Sequence, residues 1–148
     1  MEVNLATARD VPGLCELLAV LFAQEAEFRP DAVAQARGLS MIVDDPALGA
    51  ILLARERDRL LGMVNLLYTV STALGCRVAL LEDMVVAPDA RGRGIGSHLL
   101  ATAITHARAA GCGRITLLTD TDNVPAQRFY RRHGFVPSPM LPMRLALS

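Results

Sequence analysis

The sequence predicts an α/β fold, a mixed central β-sheet with helices on both faces, formed by residues 1–148 as one domain. Three observations carry this. Short apolar runs alternate with amphipathic helical periods in the order β-α-α-β-β-β-α-β-α-β. A glycine-rich turn joins an apolar strand directly to an amphipathic helix. The 148 residues contain no linker, repeat or low-complexity tract, and their number suits a single core.

Along the chain, Val3–Ala6 reads as a short strand. Asp10 is a suitable helix N-cap with Pro12 in the first turn, and Leu14, Leu17, Leu18, Leu21 and Phe22 then follow the spacing of one helix face. A second helix is expected over Ala32–Val43, stopped by Asp44, Asp45 and Pro46. Ile51–Glu56 and Leu61–Tyr68 read as strands joined by a tight turn at Asp58 and Arg59, with a loop at Ser71–Gly75. Val78–Val86 is a strand, apolar except for Glu82 and Asp83. Ile95, Leu99, Leu100, Ala103, Ile104 and Ala107 line one face of a helix that Gly111 ends. Arg114–Thr119 reads as a buried strand and Val124–His133 as a helix, with Pro125 in its first turn and Gly134 as its stop. Met143–Leu147 reads as a last strand, shortened because Pro137, Pro139 and Pro142 interrupt the approach to it.

Composition narrows the function. Fifteen basic and fifteen acidic residues cancel, so no broad cationic face for nucleic acid is implied. Every basic residue is arginine, which removes the lysine of a Walker A loop and any Schiff-base chemistry. No apolar run approaches the ~20 residues that span a bilayer, so no membrane partner is expected. Cys15, Cys76 and Cys112 are spaced like neither metal ligands nor a disulfide framework, and His98 and His106 lie about 80° apart around one helix. The expectation is no metal. Reduced thiols, and a start at Glu2 without a charged-then-apolar leader, point to the cytoplasm.

Val86–Gly96 carries the chemistry. Gly92, Gly94 and Gly96 let the backbone turn sharply and come close to a ligand. The helix that follows adds unpaired N–H groups at the positive end of its dipole, and Arg91 and Arg93 add charge. This suits a phosphate or pyrophosphate. It also suits a plain strand-to-helix turn with solvated arginines. A dinucleotide-binding fingerprint is incomplete, since Leu99 stands where its third glycine belongs.

Val86-x-Pro88-x-x-Arg91-Gly92-x-Gly94-Ile95-Gly96 resembles the acetyl-CoA signature of the GNAT superfamily of N-acetyltransferases. Asn123-x-x-Ala126-x-x-Phe129-Tyr130-x-x-x-Gly134-Phe135 is similar to its second signature, and Ala6-Thr7-Ala8-x-Asp10 to its opening. The resemblance implies a central sheet with one splayed strand pair, opening a cleft between Val86 and Leu118 for the pantetheine arm. It implies that acetyl-CoA is the co-substrate. The amides of Arg91, Gly92, Arg93, Gly94, Ile95, Gly96 and Ser97 would hold its pyrophosphate, and Asn123 would also touch it. Met84, Val85 and Val86 would offer backbone groups to the arm and one N–H to the thioester carbonyl.

An alkylamine is mostly protonated at neutral pH and must lose a proton before it attacks. Glu82 and Asp83 are the candidate bases, and without a bulge only one of them faces the cleft. Leu81-Glu82-Asp83-x-x-Val86 is similar to the polyamine (diamine) acetyltransferase branch, which implies Glu82 as base and Asp83 as a seat for the cation. A carboxylate that merely pairs with an arginine is the alternative. By the same resemblance Tyr130 would protonate the departing thiolate and also contact the co-substrate, whereas a packed tyrosine with a bonded hydroxyl is the plainer reading. Phe129 is expected in the core, and Glu25, Glu27, Asp31, Asp44 and Asp45 as an acidic rim that would suit a polycation.

The sequence therefore predicts an enzyme moving an acetyl group from acetyl-CoA to a primary amine of a small molecule or peptide, working as a homodimer. A CoA-binding regulatory domain without turnover is the second reading, and a nucleotide-binding protein the third.

Overall fold

The computed structural model describes residues 1–25 and 30–148. Chain contacts divide it into two compact units, Met1–Leu118 and Thr119–Ser148. The first contains a five-stranded sheet, β1 (Glu2–Leu5), β2 (Gly49–Glu56), β3 (Arg59–Ser71), β4 (Cys76–Val86) and β5 (Ile115–Leu117), in that spatial order. The first four pair antiparallel and β5 runs parallel to β4, so the sheet is mixed. Helices α1 (Val11–Gln24), α2 (Ala32–Val43) and α3 (Ile95–Ala109) complete the unit.

Gly49–Ala54 and Gly62–Leu66 are buried without a break. An unbroken buried run is what a strand shows when both faces are covered. The covers are α1 and α2, which pack on one another and on β2, β3 and β4, and α3, which lies along β2, β3 and β4. Leu14 of α1 and Leu99 and Leu100 of α3 are wholly buried beneath them. At Gly62 a Cβ would stand 2.9 Å from Leu99 Cδ1 and 2.9 Å from the Val85 carbonyl, so the missing side chain lets α3 settle onto the sheet.

Helix α2 has the expected limits, because the Asp31 carboxylate accepts from the Ala34 amide and Asp44–Pro46 cannot continue the turn. The tight turn is Arg57–Asp58, one residue earlier than expected, and Arg57 takes the left-handed conformation (φ 55°) that closes it. Asp10 precedes α1 but makes no side-chain cap to it. Its carboxylate turns back to accept from the Thr7 amide at 2.9 Å and from Arg55 Nη2 at 2.5 Å. Burial pushes the Asp10 carboxyl upward, but the Thr7 and Arg55 hydrogen bonds outweigh it and hold the carboxyl below its usual range. Such a group stabilises the fold above its unfolded-state pKa and ceases to as pH falls through its folded one. Asp10→Ala is therefore expected to cost about 2 kcal/mol at pH 7. In thermal melts the gap from wild type should narrow as pH falls below 4.

Two expected strands differ. Arg114–Thr119 forms only the three-residue β5, with Thr116 exposed, because Ile115–Leu117 alone meet β4. Met143–Leu147 forms no strand: Pro137, Pro139 and Pro142 lack the N–H a ladder needs, and the segment is irregular and exposed. Helix α4 (Val124–Arg132) is the one helix of the second unit. Phe129 is half-buried there rather than in a core. No helix among the described residues is long and apolar enough to cross a membrane.

Candidate active site

Beyond Val86 the chain makes one 3-10 turn (Pro88–Ala90), then a glycine turn, then α3. Gly92 (φ 80°) and Gly94 (φ 79°) both take the left-handed region, and a Cβ on either would meet nothing within 4 Å. Glycine stands there for its backbone freedom, and the turn borders open space. Among the described residues, no backbone hydrogen bond ties down the amides from Arg91 to Gly96, and the His98 amide donates to the Gly94 carbonyl at 3.1 Å. A row of unengaged amides at the start of a fifteen-residue helix matches the oxygen-rich surface of a diphosphate.

The arginines mostly serve the turn itself. Arg91 Nε donates to the Val86 carbonyl at 3.1 Å and closes the turn back onto β4. Arg93 pairs with Glu56 at 2.8 Å, and Arg59 pairs with Asp89. Both ion pairs fasten the turn to the β2–β3 hairpin. Of the two cations expected to face a phosphate, Arg93 has its charge answered by Glu56.

On β4, pairing to β5 stops at Leu81, so the strand edge from Glu82 to Val86 is paired to no strand on that side among the described residues. On the other side the register passes from Asn65↔Glu82 to Met63↔Val85, leaving one extra residue in β4. That bulge holds Asp83 at φ 54°, a conformation rare for a residue with a side chain. Directly paired residues share a face, which gives Glu82 the side of Asn65. Asn65 Nδ2 donates to Asp83 Oδ2 at 2.5 Å, so Asp83 is turned to that side too. The bulge thus answers the alternation that would have separated the two carboxylates.

Their surroundings differ. Glu82 is exposed, whereas Asp83 is half-buried. Burial and the neighbouring Glu82 charge push the Asp83 carboxyl from the usual 3.8 to about 6, with Glu25 adding to the rise and the Asn65 hydrogen bond opposing it. Of the acidic rim, Glu25 is within electrostatic reach of Asp83, Asp31 and Asp45 cap local turns, and Glu27 lies outside the described residues. Asn65 was not anticipated. The signal for it was present, as one amide in the apolar run Leu60–Leu67.

In the second unit Asn123 caps α4, its Oδ1 accepting from the Ala126 amide at 3.2 Å. Tyr130 is half-buried, its ring edge-on to Phe129 (5.3 Å) and to Phe135 (5.7 Å). Gly134 (φ 96°) ends the helix so that the Phe135 amide can reach the Tyr130 carbonyl at 3.1 Å.

Known proteins agree with this architecture. Residues 13–135 match the model of the Acetyltransferase (GNAT) family. An aminoalkylphosphonate N-acetyltransferase of Salmonella typhimurium is 30% identical over 137 residues, covering 93% of this chain and 86% of that protein. An uncharacterised N-acetyltransferase of Bacillus subtilis is 34% identical over 85 residues, 57% of each chain. Among solved structures, an integron cassette protein from the Cole Harbour salt-marsh metagenome superposes with TM-score 0.86 at 29% identity, covering 99% of this chain and 90% of that one. A probable acetyltransferase superposes with TM-score 0.85 at 27% identity, covering 100% and 99%. With two thirds of its length and more inside the family model, and a fold that superposes on those structures, the chain belongs to the Acetyltransferase (GNAT) family of acyltransferases.

Proposed function

We propose that the protein transfers an acetyl group from acetyl-CoA directly to a primary amine of a small molecule or peptide. The observation that carries this reading is the bulge in β4, which sets a carboxylate titrating near 6 beside a free strand edge that runs into the amide-lined turn. The amides from Arg91 to Ser97 would hold the diphosphate, and a backbone N–H of Met84–Val86 would polarise the thioester carbonyl as the oxyanion forms. Asp83 takes the proton of the attacking amine, a C–N bond forms, the C–S bond breaks, and Tyr130 protonates the thiolate. The motif favours Glu82 as the base. The geometry favours Asp83, leaving Glu82 to draw in the cationic amine, with a polyamine-like acceptor the best match to Glu82 and Glu25. Asn123 would touch the co-substrate besides capping α4. The working form is a cytoplasmic homodimer.

Release of free CoA thiol, followed with a disulfide reagent against alkylamines, polyamines, aminoalkylphosphonates and peptides, tests the reading. Tyr130→Phe is expected to lower kcat about 10- to 100-fold with little change in KM for acetyl-CoA. CoA binding without turnover of any amine, and no difference between Tyr130→Phe and wild type, would make this a CoA-binding regulatory domain instead.

A further inference from the structure

Asn65 is 2% exposed in the middle of β3, among residues that are otherwise apolar. Its Nδ2 has a partner in Asp83, while its Oδ1 is buried and has none. A half-satisfied amide is a poor packing choice, because an apolar side chain of that shape would leave nothing unpaired. It becomes a good choice if the group it faces alternates between acceptor and donor. An ionised carboxylate only accepts, whereas a carboxylic acid must also donate. An amide can meet both by a half-turn about χ2.

We infer that Asn65 is a positioning residue serving both protonation states of Asp83, Nδ2 holding the carboxylate before transfer and Oδ1 receiving the O–H of the acid formed when the amine's proton arrives. The inference rests on the reading of Asp83 as the proton acceptor. The charged groups that act on Asp83 are Glu82, its neighbour on β4, and Glu25, at the end of α1. Both disfavour the ionised form, as does burial. Among the described residues the Asn65 amide is the group on the opposite side of that balance. Removing it takes a charge-assisted bond from the carboxylate and only a weaker neutral one from the acid, so Asp83 becomes harder to ionise and fewer molecules hold a competent base near neutral pH. The proton itself moves from the amine nitrogen to a carboxylate oxygen, and no other bond is altered at Asp83.

The experiment follows two observables across pH in the full chain: the Asp83 carboxyl carbon by NMR, and kcat/KM for acetyl-CoA with a saturating amine. In wild type the Asp83 midpoint, the acid limb of the profile and the Asn65 side-chain amide resonances should share one midpoint near 6. In Asn65→Leu, which keeps the volume, the carboxyl midpoint and the acid limb should both move up by about one unit. That is roughly a fivefold loss at pH 6, approaching tenfold below pH 5 and restored at pH 9. Asn65→Ala gives the same readout should the leucine variant fail to fold. A residue that only supports packing would lower kcat/KM at every pH and leave the limb in place. An unmoved carboxyl midpoint, or Asn65 resonances indifferent to it in wild type, overturns the inference. A carboxyl midpoint that moves while the acid limb stays overturns instead the assignment of Asp83 as the base.

Discussion

Asp83→Asn is expected to lower kcat/KM for amine acetylation by 100-fold or more, the usual worth of a positioned general base, and to make the protein more stable. The two effects have one origin. Folding raises the Asp83 pKa from 3.8 to about 6, so the native state binds protons more tightly than the unfolded chain. Its ionisation therefore costs the fold nothing below pH 4, increasingly more between 4 and 6, and the full amount above 6. The whole displacement corresponds to about 3 kcal/mol, and water at this half-buried site reduces it to about 1–2 kcal/mol. Asparagine is uncharged and tolerates the left-handed backbone at this position. Melting curves at pH 8 should place Asp83→Asn about 3–6 °C above wild type, and curves at pH 4 should coincide. A variant that is inactive yet no more stable would mean that Asp83 is not strained by its charge. A variant that is stabilised yet fully active would return the proton to Glu82.

The second large effect is expected at the glycine turn. Alanine at both Gly92 and Gly94 has room for its methyl groups, so the fold should survive. Each methyl nevertheless opposes the positive φ by about 1–2 kcal/mol, and the turn will relieve that by rotating its peptides. Rotation redirects the unengaged amides. The calorimetric Kd for CoA should rise at least tenfold, and KM for acetyl-CoA with it, while kcat at saturation changes little. Unchanged CoA affinity in a folded double variant would remove the turn from the binding site.

How much of this was legible in the sequence differs from element to element, for physical reasons. Helix α2 was readable to the residue because Asp31 and Asp44–Pro46 act locally. The glycine turn was readable because glycine takes the φ found at 92 and 94 without the penalty a side chain brings. The true length of β5 was not, since its limit at Leu117 is where pairing to β4 stops, and that is not written in its own residues. The tail was overread: Met143, Leu145 and Leu147 alternate as a strand would, but alternation supplies no partner edge. At the site, the carboxylates were visible as charges in an apolar strand. Which way they point was set by one inserted residue in the register, and that depends on β3 as much as on β4. Asn65 shows the same limit, because an amide in an apolar run announces a hidden partner without saying which.

The two ion pairs between the glycine turn and the hairpin, Arg93 with Glu56 and Arg59 with Asp89, lie at the surface and are open to screening. The hairpin is thus a strut whose grip slackens in brine. On the proposed reading, changes at its tip, remote from acyl chemistry, are expected to register as weaker capture of the nucleotide half of the thioester donor, most plainly where little salt masks the contrast.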